Sequence, residues 1–459
     1  MSAIQPTVPR PSPPLTGAAP ALVPGVRLST EKLRCFLLWL TAASGAIVFI
    51  EPSPYEVMSA LTLAVFLLTG GVALSAALMP VVTLLVVINV GYGIGGWPVI
   101  DEKGVAMWLA TSWYLATTAV FFAAALSTNT QERLDAVARG CLIGAAIASA
   151  VAIVGYFRVF PSLDDLLLLY DRARGTFKDP NVLGAFLVFP TLLALHPVMS
   201  GNTRQALKGC LFLGLLVPAV LLSFSRAAWG QVVYTAALML LLTFVTTRSP
   251  SHRLRLVLMS VGGAVVLAIF IGGLLSVDSV ASLFKERASL HQDYDVGAQG
   301  RFARHILGAI FALDKPIGIG PLQFNKYFPE DTHNSFLNAF MSGGWLAGAC
   351  YPVLVVLTLV YGFRAVFVRA PWQPMTIVVF SAYFGVATES FIIDVDHWRH
   401  AFMLLGLMWG LIVASRVHQT RSKTLPSGGG NPTRAVSPAL APSRTPSYTS
   451  ARRSVAQPG

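Results

Sequence analysis

The chain carries twelve separate apolar runs, most of them close to the length of a membrane-spanning helix. They lie near residues 35–50, 57–74, 78–95, 105–125, 140–157, 181–197, 206–222, 228–246, 256–275, 341–362, 375–393 and 399–414. The hydrocarbon core of a bilayer is about 30 Å thick and requires roughly 20 apolar residues per helix. The runs are continuous rather than alternating, which favours helices over the strands of a barrel. The sequence therefore predicts an all-α polytopic membrane protein with about 12 transmembrane helices.

The formal net charge of +12 has the sign expected of a nucleic-acid-binding protein. Its distribution along the chain indicates another cause. With twelve spans, both termini and the even-numbered connections, counted from the N-terminus, lie on the same side of the membrane. They carry 20 of the 33 Lys and Arg but only 3 of the 21 Asp and Glu. Such an excess on one side follows the positive-inside rule of membrane proteins. We therefore expect a multi-pass protein of a bacterial inner membrane, with both termini cytoplasmic and no nucleic-acid partner.

Composition and topology together divide the chain into three regions. A transmembrane domain is predicted over residues 31–415. It lies between two tails, residues 1–30 and 416–459. Both tails are rich in Pro and in small or polar residues, and they are predicted to be disordered in the cytoplasm.

Two connections on the predicted extracytoplasmic side are long. They span about residues 158–180 and 276–340, and the second joins helices 9 and 10. Connections of this length are usually functional or disordered. The second contains the amphipathic pattern of Arg301–Leu313 and several Phe and Tyr residues, which predict a folded cap.

The first candidate cluster is a cationic segment that leads directly into an apolar run. It contains Arg172, Arg174 and Lys178, followed by Pro180 and Asn181. Three cations within seven residues at a membrane surface are suited to an anionic phosphate group. The alternative is ordinary interfacial anchoring of long basic side chains, with Pro180 starting a helix. Spacing alone leaves both interpretations open.

The second cluster is the turn Ser223-Phe224-Ser225-Arg226 between two adjacent spans. Ser223 and Ser225 are candidates to cap the next helix, while Arg226 faces the bundle. An arginine at the rim of a membrane domain favours a functional site over simple anchoring.

The third cluster precedes the tenth span. Gly318 and Gly320 predict a tight turn, because no strand–turn–helix unit surrounds them as a dinucleotide site requires. His333 is the one candidate base of this stretch, with a reference pKa near 6.5. In the alternative interpretation, Thr332 or Asn334 caps a helix and His333 has no chemical role.

Acidic pairs offer a possible cation site. Asp164 with Asp165, and Asp394 with Asp396 beside His397, have oxygen ligands of the kind that divalent ions prefer. Solvated loop carboxylates are the favoured interpretation, and no metal or other cofactor is predicted. The four cysteines lie in or at the ends of apolar runs and are interpreted as packing residues. Glu389, near the end of the eleventh span, is the most buried acid expected, with an arginine as its possible partner.

The clusters follow one another in a definite order. They read Arg-x-Arg-Gly-Thr-Phe-x-Asp-Pro-Asn-x-Leu-Gly at 172–184, Ser-x-Ser-Arg at 223–226, Gly-x-Gly-Pro at 318–321 and His-Asn-x-x-Leu at 333–337. The combination resembles the O-antigen ligase and Wzy-type polymerase superfamily over roughly residues 170–350. Twelve spans with a long connection before the His-Asn motif also resemble an O-antigen ligase.

The resemblance implies a glycosyltransferase that takes a glycan from undecaprenyl diphosphate and passes it to an acceptor hydroxyl on the periplasmic face. The acceptor is lipid A–core in the ligases. In the polymerases it is another lipid-linked glycan, and the product is O-antigen or exopolysaccharide. The resemblance also implies inversion at the anomeric carbon, with no metal or other cofactor.

The resemblance assigns roles by position. His333 would activate or orient the acceptor hydroxyl, with Asn334 and Glu389 as supporting residues. The residues implied to bind the diphosphate are Arg174, Arg226, Lys178 and, more weakly, Arg301.

Two other functions are open at this point. The shared motifs do not separate ligase from polymerase, and the span count favours the ligase. A transporter or flippase of lipid-linked glycans would use the same cations without chemistry. Transporters usually show related halves and charged sites near the midplane, whereas these cations lie at one rim and the sequence shows no repeat. The glycosyltransferase is therefore the preferred hypothesis.

Overall fold

A computed structural model describes residues 24–288 and 300–424, so most of both predicted tails lies outside the described residues. The described ranges contain fifteen α-helices and one short antiparallel ribbon, β1 Leu168–Leu169 with β2 Arg172–Ala173. The helices are α1 Pro24–Ser44, α2 Pro54–Leu68, α3 Met79–Gly96, α4 Val105–Leu126, α5 Thr130–Tyr156, α6 Asp164–Leu167, α7 Pro180–Ser200, α8 Thr203–Leu222, α9 Arg226–Thr246, α10 Pro250–Leu274, α11 Asp278–Ala288, α12 Arg301–Leu313, α13 Ser335–Val366, α14 Gln373–Glu389 and α15 Arg399–Thr424.

The prediction of an all-α polytopic membrane protein is confirmed. Each of the twelve apolar runs corresponds to one helix, and nine helices in the described ranges are long and apolar enough to cross a bilayer. The other three are α1, α2 and α14. The remaining helices, α6, α11 and α12, lie in the two long connections. The amphipathic pattern of Arg301–Leu313 is also confirmed, because α12 begins and ends at those residues.

Local capping explains where the helices of the candidate clusters begin. The Asp179 carboxylate accepts the backbone N–H of Asn181 at 2.6 Å, with Pro180 at the first helical position of α7. The Ser225 hydroxyl accepts the N–H of Ala228 at the start of α9. The Asn334 side chain accepts the N–H of Leu337 at 3.0 Å at the start of α13. Each motif therefore starts a helix, whatever else it does.

The helices pack into one bundle, and its largest contacts join α3 with α13, α1 with α5, α7 with α8, α5 with α8, and α9 with α14. This compact unit extends to Gln419; a second unit begins at Thr420, and only residues 420–424 of it are described. α10 is almost entirely exposed, which is typical of a helix that faces lipid on most sides.

The odd-numbered connections of the twelve spans meet at one end of the bundle, which we call the site end. Thr176 accepts the backbone N–H of Val48 at 2.9 Å, Lys326 pairs with Glu102 at 2.8 Å, and Ser335 donates its N–H to Ser390 at 2.9 Å. At the opposite end, buried Arg133 donates two hydrogen bonds to Glu31, at 2.6 and 3.0 Å. The candidate residues therefore share one end of the bundle.

Candidate functional site

His333 is held by a carboxylate from another connection. Asp394, between α14 and α15, accepts the Thr332 hydroxyl at 2.8 Å and the backbone N–H groups of His333 and Asn334 at 3.0 and 2.9 Å. His333 has a φ of 45°, a left-handed conformation that is uncommon outside glycine. Three bonds to one carboxylate stabilise this conformation and fix the direction in which the imidazole leaves the backbone.

The first turns of α12 surround His333 with cationic and imidazole groups. Arg301 donates to the carbonyl of Ile392 at 3.4 Å, and the His305 Nε2 lies 3.0 Å from the carbonyl of Thr332. Burial, and then the charge of Arg301, hold the pKa of His333 below its usual value. The imidazole of His333 is therefore neutral at pH 7 and able to accept a proton.

The interpretation of Asp394 and Asp396 as solvated loop carboxylates is wrong. Asp396 is 4% exposed and accepts the Asn338 amide at 2.8 Å, and Asp394 is enclosed by the three donors described above. Burial, and then the neighbouring Asp396, raise the pKa of Asp394. Asp394 therefore organises the backbone around His333, and Asp396 holds the side chain of Asn338.

A different trio, at the opposite end, has the proximity that a metal ion requires among the described residues. It consists of Glu31, Cys35 and Glu132. Arg34 and Arg133 already bind the carboxylate of Glu31, which leaves its oxygens little capacity for a cation.

Arg172 joins the first cluster to the second. It is 8% exposed, its Nε donates to the carbonyl of Ser223 at 2.8 Å, and its Nη2 donates to the Asn181 side chain at 2.7 Å. The ribbon of β1 and β2 places Arg172 against the bundle. Arg172 therefore fixes the turn that precedes Arg226.

The other two cations of the first cluster have partners within the site end. The Arg174 guanidinium donates to the carbonyls of Leu166 and Lys178, both at 3.2 Å, and to that of Asp165. The Lys178 ammonium lies 2.5 Å from the Glu51 carboxylate, and both side chains are at least half exposed. A phosphate group would compete with Glu51 for Lys178.

Arg226 is the first residue of α9, where the positive end of the helix dipole reinforces its charge. Five residues further on, about 8 Å along the helix axis, the amide of Gln231 lies beside the carboxyl of Glu389. Glu389 is 3% exposed, so the expected burial is present, but its described neighbour is Gln231 rather than an arginine. Glu389 also joins the clusters, because its carbonyl accepts the N–H of Ile392, the residue to which Arg301 donates.

The structure thus divides the predicted residues into groups. Arg301, His333 and Asn334 lie together around Asp394, and Glu389 lies between them and the helix that begins with Arg226. Arg174 and Lys178 lie in the first long connection.

The roles implied by the resemblance do not include Asp394, Arg172 or His305, although Arg172 belongs to the first candidate cluster. Asp394 had a signal, since its Asp-x-Asp pair was noted as a possible ion ligand. Two of its three partners are backbone N–H groups, which the sequence does not reveal.

Comparison with protein families supports the resemblance proposed from the motifs. Residues 211–351 match the family model described as O-antigen ligase. This stretch runs from α8 to α13 and includes Arg226, Arg301 and His333. Comparison with curated proteins gave no match. Residues 211–351 are therefore similar to the O-antigen ligase family, and this match bears out the predicted resemblance to the O-antigen ligase and Wzy-type superfamily.

Proposed function

We propose that this protein is an inner-membrane glycosyltransferase of the ligase type. It would transfer a glycan from undecaprenyl diphosphate to a hydroxyl of lipid A–core on the periplasmic face. The observation that carries the proposal is the placement of His333, whose backbone is fixed by Asp394 and whose pKa is lowered by burial and by the charge of Arg301, just before a membrane span. A base beside a cation suits a reaction in which a hydroxyl loses a proton while a phosphate gains negative charge.

The proposed step conserves atoms and charge. The acceptor oxygen forms a bond to the anomeric carbon of the glycan, and its proton passes to the imidazole of His333. The bond from the anomeric carbon to the diphosphate oxygen breaks, and its electron pair stays on the diphosphate. His333 then releases the proton to water or to the diphosphate.

Cations at two helix starts support binding of the leaving group. Arg226 begins α9 and Arg301 begins α12, and each adds its charge to the positive end of a helix dipole. Arg172 fixes the turn before Arg226. We propose Arg226 and Arg301 as the main diphosphate ligands. Arg174 and Lys178, in the first long connection, would make additional contacts with the anionic group of the donor.

The preference for ligase over polymerase rests on the description of the matched family and on the twelve apolar runs of the sequence, each of which corresponds to a helix. A polymerase would use the same chemistry with a lipid-linked glycan as acceptor. A flippase would bind the same donor without transfer. The test therefore separates the three activities.

The test is transfer by the purified protein in liposomes that contain an undecaprenyl-diphosphate-linked oligosaccharide, with and without lipid A–core and in the presence of a chelator. A single product that forms only with lipid A–core supports the ligase. A ladder without that acceptor identifies a polymerase. Translocation of the donor without any product identifies a transporter and removes the role of His333.

Matched variants separate the site from general effects on folding. His333→Ala and Arg226→Ala should abolish transfer while the protein remains monodisperse. His252→Ala and Arg255→Ala, at the opposite end of the bundle, should leave transfer unchanged. Full activity of both site variants would contradict the residue assignments.

A further inference from the structure

One helix of the site end presents its apolar face outwards. In α12 the exposed large side chains share one face: Phe302, Ile306, Leu307, Ile310 and Leu313, which are 47 to 67% exposed. We call this the apolar face of α12. Scattered exposed apolar residues are normal on proteins, but a continuous apolar helix face marks an interaction surface.

The opposite face of α12 carries the polar contacts and faces the protein. Arg304 is 4% exposed and lies 2.6 Å from the Glu330 carboxylate, while His305 contacts the carbonyl of Thr332. Gly308 lies on the same face, where an added Cβ would come within 2.9 Å of Leu337. The helix is therefore fixed with its polar side inwards and its apolar side outwards.

The C-terminal end of α12 is hydrogen-bonded to Trp345, the first residue of α13 after its kink. The indole N–H of Trp345 donates to the carbonyl of Ala312 at 3.0 Å, and its backbone N–H donates to Pro316 at 2.9 Å. α13 is kinked at Gly343 and Gly344, and the stretch from Trp345 to Val366 continues as a helix with Pro352 inside it. Its 22 residues are about 33 Å long, close to the thickness of the hydrocarbon core.

A span of this length would place Trp345 at the boundary between hydrocarbon and headgroups, where tryptophan is enriched. It is 49% exposed, and beyond it α13 exposes Leu346, Val353 and Val356. The exposed Ile317 follows the end of α12 by four residues, and its backbone lies beside Gly344, at the kink that precedes this surface of the span. Exposed apolar side chains therefore lie on both sides of the kink.

We propose that α12 is an interfacial helix whose apolar face lies in the bilayer leaflet at the site end. An amphipathic helix of this kind lies parallel to the membrane, with its apolar side among the upper acyl segments. This placement has a consequence that rests on the proposed function: α12 would fix the depth of Arg301 relative to the membrane surface. Arg301 is the first residue of the helix, so this anchoring holds its guanidinium at the level of a lipid diphosphate.

Spin-label accessibility tests this placement without measuring activity. In a variant with the four native cysteines replaced by alanine, single labels are placed at Ile306→Cys and Ile310→Cys in nanodiscs. Asp314→Cys, one residue beyond α12, is the water-facing control, and Val353→Cys is the lipid-facing reference. We expect labels at 306 and 310 to be several-fold more accessible to oxygen than to a water-soluble nickel chelate, as at 353, and the reverse at 314.

Two results would overturn the proposal. Labels at 306 and 310 that are as accessible to the nickel chelate as the label at 314 would show that the face is in water. Immobilised labels that neither reagent reaches would show that a protein surface, such as a second copy of the chain, covers it.

A transfer assay then tests the consequence. Ile306→Asp with Ile310→Asp should raise the KM for the lipid-linked donor several-fold, and the matched Ile306→Leu with Ile310→Leu pair should not. If the labels contact the membrane but the aspartate variant has an unchanged KM, α12 lies at the interface but does not determine the depth of Arg301. If the wild-type chain shows no transfer at all, the proposed function is rejected instead.

Discussion

The carboxylate of Asp394 accepts the backbone N–H of His333 at 3.0 Å across 61 positions of sequence. The same carboxylate binds the Thr332 hydroxyl and the Asn334 N–H, so one side chain fixes the three consecutive residues that precede α13. A base that must meet an acceptor hydroxyl requires such fixed geometry, because a displacement of about 1 Å can reduce a rate roughly 100-fold.

Asp394→Asn should therefore reduce kcat for transfer by about 10- to 100-fold with a smaller effect on donor KM. The amide replaces one acceptor oxygen with a donor, which would face a backbone N–H and leave it unsatisfied. We expect the free energy of unfolding to fall by about 1–3 kcal/mol. Steady-state kinetics and thermal unfolding in detergent measure the two effects.

The control is Asp101→Asn, an exposed aspartate in another connection of the site end. It should leave kcat and thermal stability unchanged. A normal kcat for Asp394→Asn would mean that the position of His333 does not limit the reaction.

The pH dependence of transfer should report the lowered pKa of His333. A base works when it is unprotonated, so kcat/KM should stay constant above the usual histidine pKa and fall only at lower pH. Arg301→Gln removes a positive charge that lowers the pKa of His333. The acid limb of the profile should therefore move to higher pH in Arg301→Gln, in addition to any loss of donor binding.

Changes of opposite charge give the matched test. Asp331 and Glu330 raise the pKa of His333, so Glu330→Gln should move the acid limb to lower pH. The raised pKa of Asp394 comes from burial and from Asp396. An acid limb that moves with Asp396→Asn but not with Arg301→Gln would assign the titration to Asp394 instead.

The helical fold could be predicted from sequence because its signals are local. An apolar run can be recognised by its length. The cap residues Asp179, Ser225 and Asn334 each bond a backbone N–H only two or three residues further on, so these helix starts can be recognised from the sequence without knowledge of the tertiary structure. The amphipathic pattern of Arg301–Leu313 gave α12 for the same reason. The side of α12 that faces outwards was not predictable, because a folded cap and an interfacial helix share that pattern.

The choice between Arg172 and Arg174 also could not be made from sequence. The two residues are separated by one position in a single motif, and the pairing of β1 with β2 turns Arg172 towards Ser223. Arg174 reaches the carbonyls of Leu166 and Lys178. Pairing of two-residue strands depends on the surrounding packing rather than on their own composition.

This difference predicts an order of effects. Arg172→Ala leaves the Ser223 carbonyl and the Asn181 side chain without their charged donor, and we expect it to cost about 1.5–3 kcal/mol of stability. Donor KM should rise, because the turn before Arg226 loses its support. Arg174→Ala, whose partners are carbonyls of its own connection, should cost less stability. Equal thermal shifts for the two variants would contradict this role of Arg172.

The kink in α13 gives a prediction about stability alone. Gly344 has a φ of 63°, and an added Cβ would lie 2.2 Å from the carbonyl of Pro316. Gly344→Ala therefore combines an unfavourable backbone conformation with a clash against rigid backbone, and about 1–3 kcal/mol of stability should be lost from the conformation alone.

Gly93→Ala is the matched control, because Gly93 lies in α3, the main partner of α13, and its added Cβ meets nothing within 4 Å. Its melting temperature should stay the same or rise slightly, since alanine favours a helix interior over glycine. Thermal unfolding of both variants in one detergent decides the matter. If Gly344→Ala melts like Gly93→Ala, the kink does not depend on glycine, and the tie between α12 and Trp345 tolerates a different path of the chain.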